Sequence, residues 1–286
     1  MLSYLQILIL AVIQGACELL PVSSSAHVIA AEKLMNLDPS SPEMTMFIIM
    51  LHTGTMFSMI VYFWNSWRRD YFASKAQTQW FAIQLFVASL CTVIIFKALE
   101  MLLKKVFIHG TPNFEIEDLF KNMPLIAGSL IAVGLLIIYA GFREDRQTQP
   151  RHIEIQPLHA VWIGIVQGFS LPFRGFSRSG STISTGLLLG LPKRKLEEFS
   201  FALAVILTPA AIYREAHRLI KAHAVTEQSV AHIFVPCLMG MVLSFLAGLL
   251  ALKWLSRWLE AGRWKFFGFY CLFAAAGVLL INYYKK

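Results

Sequence analysis

The chain has 286 residues, of which 57% are apolar and 15% charged, with a formal net charge of +8. That balance excludes an ordinary soluble domain, where roughly half the residues are apolar and about a quarter charged, and it predicts a chain that crosses a bilayer several times. The positive charge does not read as a nucleic-acid surface: the cations sit in loops between apolar runs, no nucleic-acid-binding motif accompanies them, and the partner they suit is the bilayer with its anionic lipid.

In chain order, the first apolar region, about residues 2–33, contains Val12-Ile13-Gln14-Gly15 and then breaks into Glu18, Pro21, Ser23, Ser24, Ser25 and His27. It reads as two half-length helices turning back inside the membrane, a re-entrant hairpin. Apolar runs long enough to span follow at 43–64, 79–102 and 123–142. A second interrupted region, about 157–190, repeats the pattern: Ile165-Val166-Gln167-Gly168 precedes Ser177-Arg178-Ser179-Gly180-Ser181-Thr182. Three more spans are predicted at 196–214, 231–253 and 263–283. The stretch from Met1 lacks the basic start and small-residue cleavage site of a signal peptide, so it is expected to belong to the working structure. Cys17, Cys91, Cys237 and Cys271 fall in apolar segments at unrelated spacings, which suits reduced core thiols.

The fold class that follows is an all-α polytopic membrane protein forming one integral membrane domain over residues 1–286. It contains two units, about 1–142 and 157–286, each a re-entrant helical hairpin plus three transmembrane helices. Three crossings per unit place the second upside down relative to the first, an inverted-topology repeat whose hairpin tips meet near the midplane. Helix N-termini and turn amides gathered there favour anions. Thirteen lysines and arginines fall on one side of this topology and nine on the other. The richer side is expected to be cytoplasmic, with both termini and the mouth of the first hairpin on the outer side.

The two clusters carry the chemistry. Gln14 and Glu18 stand four apart, so on a continuous helix they share a face and can reach one ligand or metal ion. Glu18 is the candidate general acid or base, and it is also the carboxylate that would hold a divalent cation, Mg²⁺ or Ca²⁺. His27 is a candidate nucleophile or proton carrier. Ser23, Ser24 and Ser25 either cap a helix or donate to a bound oxyanion, with one of them a candidate nucleophile. Arg178, with Ser177, Ser179 and Thr182, resembles an oxyanion cradle suited to phosphate. Gln167, the repeat counterpart of Gln14, is expected at the same site. The cradle is not a nucleotide-binding P-loop, whose glycine–lysine spacing is absent.

Gln14-x-x-x-Glu18-Leu19-Leu20-Pro21-Val22-Ser23-Ser24-Ser25-Ala26-His27, together with Gly175-Phe176-Ser177-Arg178-Ser179-Gly180-Ser181-Thr182, closely resembles the two signature motifs of the bacterial undecaprenyl-diphosphate phosphatases of the bacitracin-resistance type. The likeness continues through Phe47 to Thr55, including His52-Thr53-Gly54-Thr55, and through Glu198-Phe199-Ser200-Phe201. It implies a multi-pass enzyme of the bacterial inner (plasma) membrane that hydrolyses undecaprenyl diphosphate to the monophosphate. Such an enzyme recycles the lipid carrier for peptidoglycan and envelope polysaccharides, confers bacitracin resistance and opens its active site to the periplasmic or outer face. On that resemblance Glu18 and Gln14 match the catalytic or metal-binding pair, His27 and Ser24 the attacking or proton-transferring groups, and Arg178 the diphosphate-binding arginine. The chain departs from the family pattern at Arg174, where proline is usual, at Ile48, where an acid is common, at Ala26, where glycine is common, and at Gln14, where glutamate is frequent. A homodimer is compatible with the sequence. The competing reading of the same architecture is a transporter or flippase for a phosphorylated lipid or small anion.

Overall fold

The computed structural model describes residues 2–38, 41–107, 119, 122–146, 154–221 and 227–285. Lys121, Arg151 and Lys286, counted above for orientation, lie outside them. Among the described residues the regular structure is helical: α1 (Tyr4–Leu19), α2 (Ser24–Leu34), α3 (Pro42–Asp70), α4 (Lys75–Phe107), α5 (Met123–Asp145), α6 (Pro157–Ser170), α7 (Arg178–Leu188), α8 (Lys193–Lys221), α9 (Glu227–Glu260) and α10 (Trp264–Tyr284).

Among the described residues six stretches are long and apolar enough to cross a membrane: Met44–Asp70, Lys75–Lys105, Met123–Asp145, Lys193–Arg214, Phe234–Glu260 and Trp264–Tyr284. Each overlaps a span expected from hydropathy, and most run on by several residues because the last turns are charged. The chain is therefore a multi-pass helical membrane protein, and its outward apolar side chains, among them Phe86, Ile94, Leu250 and Phe273, suit contact with lipid.

Local chemistry sets where the short helices start and stop. Ser3 opens α1 with a capping box, its hydroxyl accepting from the Gln6 amide while the Gln6 side chain accepts from the Ser3 amide. Pro21 closes α1, because the residue before a proline avoids helical backbone, and Leu20 is extended at φ −78° and ψ 151°. Pro157 starts α6 at a position where a missing N–H costs nothing, and Ser170-Leu171-Pro172 leads into the turn before α7.

The helices pack as a set of matched pairs. α1 folds onto α2, and α6 onto α7. α1 lies against α9, and α6 against α4. α5 packs on α10, with α7 against α5 and α2 against α10. The repeated glycines explain two of these contacts: a Cβ on Gly15 would lie 2.6 Å from the Ser244 carbonyl oxygen of α9, and one on Gly168 would lie 2.6 Å from the Thr92 carbonyl oxygen of α4. Small residues at such contacts let helix backbones approach closely. The core runs through Leu130 and Ile137 of α5, Phe199 and Phe201 of α8, Leu252 and Leu255 of α9 and Trp264 of α10. All four cysteines are free thiols, as expected.

Candidate active site

The turns that end α1 and α6 meet. Ser23 donates its hydroxyl to the Arg174 carbonyl at 2.5 Å, Arg174 donates from its guanidinium to the Ser25 hydroxyl at 3.3 Å, and Ser179 reaches the Leu20 carbonyl at 3.4 Å. Ser23 adopts φ 66°, a left-handed backbone uncommon for a residue other than glycine. Its hydroxyl is committed to Arg174, so the N-terminus of α2 has no side-chain cap.

Glu18, at the end of α1, is the hub. One carboxylate oxygen accepts from the Arg178 guanidinium at 3.0 Å; the other accepts from the Ser24 hydroxyl at 2.5 Å and from the Gln14 amide at 3.3 Å. The side chains of Glu18 and Arg178 retain only 15% and 18% of their exposure. Two opposite charges this far from water persist because each neutralises the other and the remaining lone pairs are hydrogen-bonded. Thus Gln14, Glu18, Ser24 and Arg178, named from separate stretches of sequence, come together.

The cradle around Arg178 is built by its own helix. Ser177 caps α7 by accepting from the Gly180 amide at 3.2 Å and lies 3.4 Å from the Ser179 hydroxyl. Thr182 donates back to the Arg178 carbonyl at 2.9 Å and pairs with Ser200 of α8 at 2.6 Å. These bonds hold the first turn of α7, and with it the arginine, at a fixed angle.

Two named residues are placed elsewhere. His27 turns away from the Glu18 cluster: its Nδ1 is 2.8 Å from the Ser23 carbonyl, which only accepts, so Nδ1 carries the proton and Nε2 accepts from Tyr270 at 2.9 Å. The two rings stack at 5.6 Å. Gln167 is sealed between α6 and α4, donating to the Thr92 hydroxyl at 2.9 Å. In its place stands a residue given no role from the sequence, His52 of α3, whose Nε2 lies 4.0 Å from the Glu18 oxygen that Ser24 and Gln14 share. An ionisable side chain within an otherwise apolar span was the available signal. Tyr270 carried none, because an aromatic residue within an apolar span reads as ordinary packing surface.

Glu18 and Gln14 present hard oxygen donors on one helix face. Among the described residues no group of three or more His, Cys, Asp and Glu side chains gathers as a metal cage. That donor set fits Mg²⁺ or Ca²⁺ only in the manner of ions completed by substrate phosphates and water.

Fold and site together define a polytopic helical membrane protein with an acid, an arginine and hydroxyl donors gathered where two helix breaks meet. The chain belongs to the bacitracin resistance protein BacA family, whose pattern it matches over residues 7–277. It is 54% identical over 286 positions to undecaprenyl-diphosphatase 2 of Acinetobacter baylyi, covering 98% of each chain. It is 30% identical to the undecaprenyl-diphosphatase of Bacteroides fragilis over 98% of each. Against that of Polaromonas naphthalenivorans it is 29% identical, over 96% of this chain and 92% of the other. The family membership expected from two motifs thus extends over nearly the whole chain.

Proposed function

We propose that this protein is a membrane phosphatase that hydrolyses undecaprenyl diphosphate to undecaprenyl phosphate and inorganic phosphate. It thereby recycles the lipid carrier for peptidoglycan and envelope polysaccharide synthesis and lowers sensitivity to bacitracin. The observation that carries the reading is the Ser24–Glu18–Arg178 constellation, which pairs a hydroxyl, a base within hydrogen-bond reach and a forked cation between two helix N-termini. Anion transport alone needs no hydroxyl held 2.5 Å from a carboxylate. The printed names of the relatives point the same way.

Phosphoryl transfer needs chiefly positioning and charge stabilisation. In the mechanism supported here, Arg178 and the uncapped amides of α2 hold the terminal phosphoryl oxygens. Ser24 gives its proton to Glu18 and attacks the terminal phosphorus, the bond to the bridging oxygen breaks, and the lipid monophosphate leaves. Glu18 returns that proton to the departing monophosphate; water then attacks the phosphoserine, Glu18 takes the water proton and passes it to the Ser24 oxygen as the P–O bond breaks, which restores both Ser24 and the carboxylate. Gln14 fixes the carboxylate rotamer, and His52 is the neighbouring group placed to exchange a proton with it. With both its ring nitrogens occupied, His27 orders the Ser23 turn rather than attacking. A divalent cation bound by Glu18 and Gln14 would add positive charge on the phosphoryl oxygens.

The architecture we infer is an inverted-topology repeat, residues 1–142 and 157–286, within one membrane domain. Its support is the pairing of contacts: α1 on α9 mirrors α6 on α4, α2 on α10 mirrors α7 on α5, and Gly15 and Gly168 take matching roles. The modest cation bias favours a site opening on the outer face of the bacterial inner membrane.

Phosphate release from undecaprenyl diphosphate by detergent-purified protein tests the activity, with Ser24→Ala and a chelator as further arms. Release by wild type, lost in Ser24→Ala and lowered by chelator until Mg²⁺ or Ca²⁺ is restored, is the expected result. A folded wild type that binds the lipid and releases nothing would point to transport instead.

A further inference from the structure

Arg174 lies in the turn between α6 and α7, and the charge cluster on Glu18 does not use it. Its carbonyl accepts from Ser23 and its guanidinium donates to Ser25, so it grips the serine run on both sides of Ser24. Ser24 itself faces Glu18, and through that carboxylate Arg178. Two guanidinium groups therefore bracket three consecutive serines, one at Ser24 by way of Glu18 and one at Ser25. The turn that carries Arg174 cannot swing freely: a Cβ on Gly175 would lie 2.8 Å from the Ser129 Cβ of α5, so the backbone is pressed against that helix. Glu32 of α2, only 4% exposed, lies within electrostatic reach of Arg174.

A diphosphate presents two phosphoryl groups joined through one bridging oxygen, and adjacent serines backed by separate arginines match that pattern. We propose that Arg174, with Ser25, binds the lipid-side phosphoryl group while Arg178 serves the terminal one, so that the site selects a diphosphate head group over a monophosphate. The inference rests on the diphosphatase reading and deepens it by assigning the basis of head-group selection. Once the terminal phosphoryl has been transferred, the remaining monophosphate holds only half of the paired contacts, which favours its release. A charged hydrogen bond of this kind carries discrimination because its loss leaves a half-buried cation without its ligand.

The probes are inorganic pyrophosphate and orthophosphate, head groups without a tail, titrated calorimetrically into detergent-purified wild type, Arg174→Ala and Arg174→Lys. Phosphate release from undecaprenyl diphosphate is measured alongside. Wild type is expected to bind pyrophosphate at least about tenfold more tightly than orthophosphate, and Arg174→Ala to lose that preference while still binding orthophosphate. Its KM for the lipid diphosphate should rise about 10- to 100-fold, with a much smaller change in kcat, as for one lost charged hydrogen bond. Arg174→Lys should recover part of both. Orthophosphate binding by Arg174→Ala shows that its site is folded, and an unchanged pyrophosphate preference in that variant would overturn the proposal. Wild type that releases no phosphate from the lipid would instead end the diphosphatase reading, whereas an active wild type with an unaltered Arg174→Ala preference ends this inference alone.

Discussion

The two helix breaks begin from the same Gln-Gly step and end with opposite charges. In the first, Gln14 turns its amide to a carboxylate four residues on, and serines and a histidine follow; in the second, Gln167 is buried against Thr92, and the charge comes later as Arg178. The glycines kept one job, seating α1 on α9 and α6 on α4. Packing is thus common to the two breaks while the chemistry differs, an acid with a hydroxyl on one side and a cation on the other. Neither half holds both members of the ion pair, so the site exists only where they meet.

The largest expected effect comes from breaking that meeting. Glu18→Gln or Arg178→Ala should each lower kcat/KM about 10²- to 10³-fold, as does loss of other transition-state donors. The double variant should lose far less than the product of the two, because the residues act as a pair; steady-state kinetics of the three variants checks this. Next, Gly15→Leu and Gly168→Leu should destabilise the fold to a similar extent, by about 1–3 kcal/mol as in overpacked cores. Thermal unfolding in detergent would show it, and one tolerant site would undo the equivalence of the two contacts. The glutamines should then separate. Gln14→Ala should cut kcat about tenfold, the worth of one hydrogen bond to a charged group, and leave the melting temperature nearly unchanged. Gln167→Ala should do the reverse, lowering stability by about 1 kcal/mol with kcat retained. Smallest of all, Tyr270→Phe should slow turnover only a few-fold, since it removes one neutral hydrogen bond from His27.

Much of this fold could be read in advance, because six apolar spans and two proline-marked interruptions are properties of the chain itself. Helix ends were less legible: α3 continues to Asp70, past the expected stop at 64, since Trp67, Arg68 and Arg69 fall outside any apolar window yet remain helical. Gln14, Glu18, Ser24 and Arg178 were legible as a candidate cluster because charge and hydroxyls at membrane depth are costly, and the structure brings them together. What could not be read was direction. Whether Gln167 faces Glu18 or Thr92 depends on a contact between residues 75 apart in sequence, and His27's bond to Tyr270 spans 243. His52 stood in plain view within α3, but only the packing of α3 beside α1 brings it to the carboxylate.

The measurement that bears most directly on the central claim is phosphate release from undecaprenyl diphosphate by purified wild type beside Glu18→Gln, both shown to be folded. The account predicts turnover by wild type and a loss of about 10²- to 10³-fold in the variant. Equal turnover by the two proteins would contradict it, because the carboxylate that joins the two halves would then have no part in the chemistry.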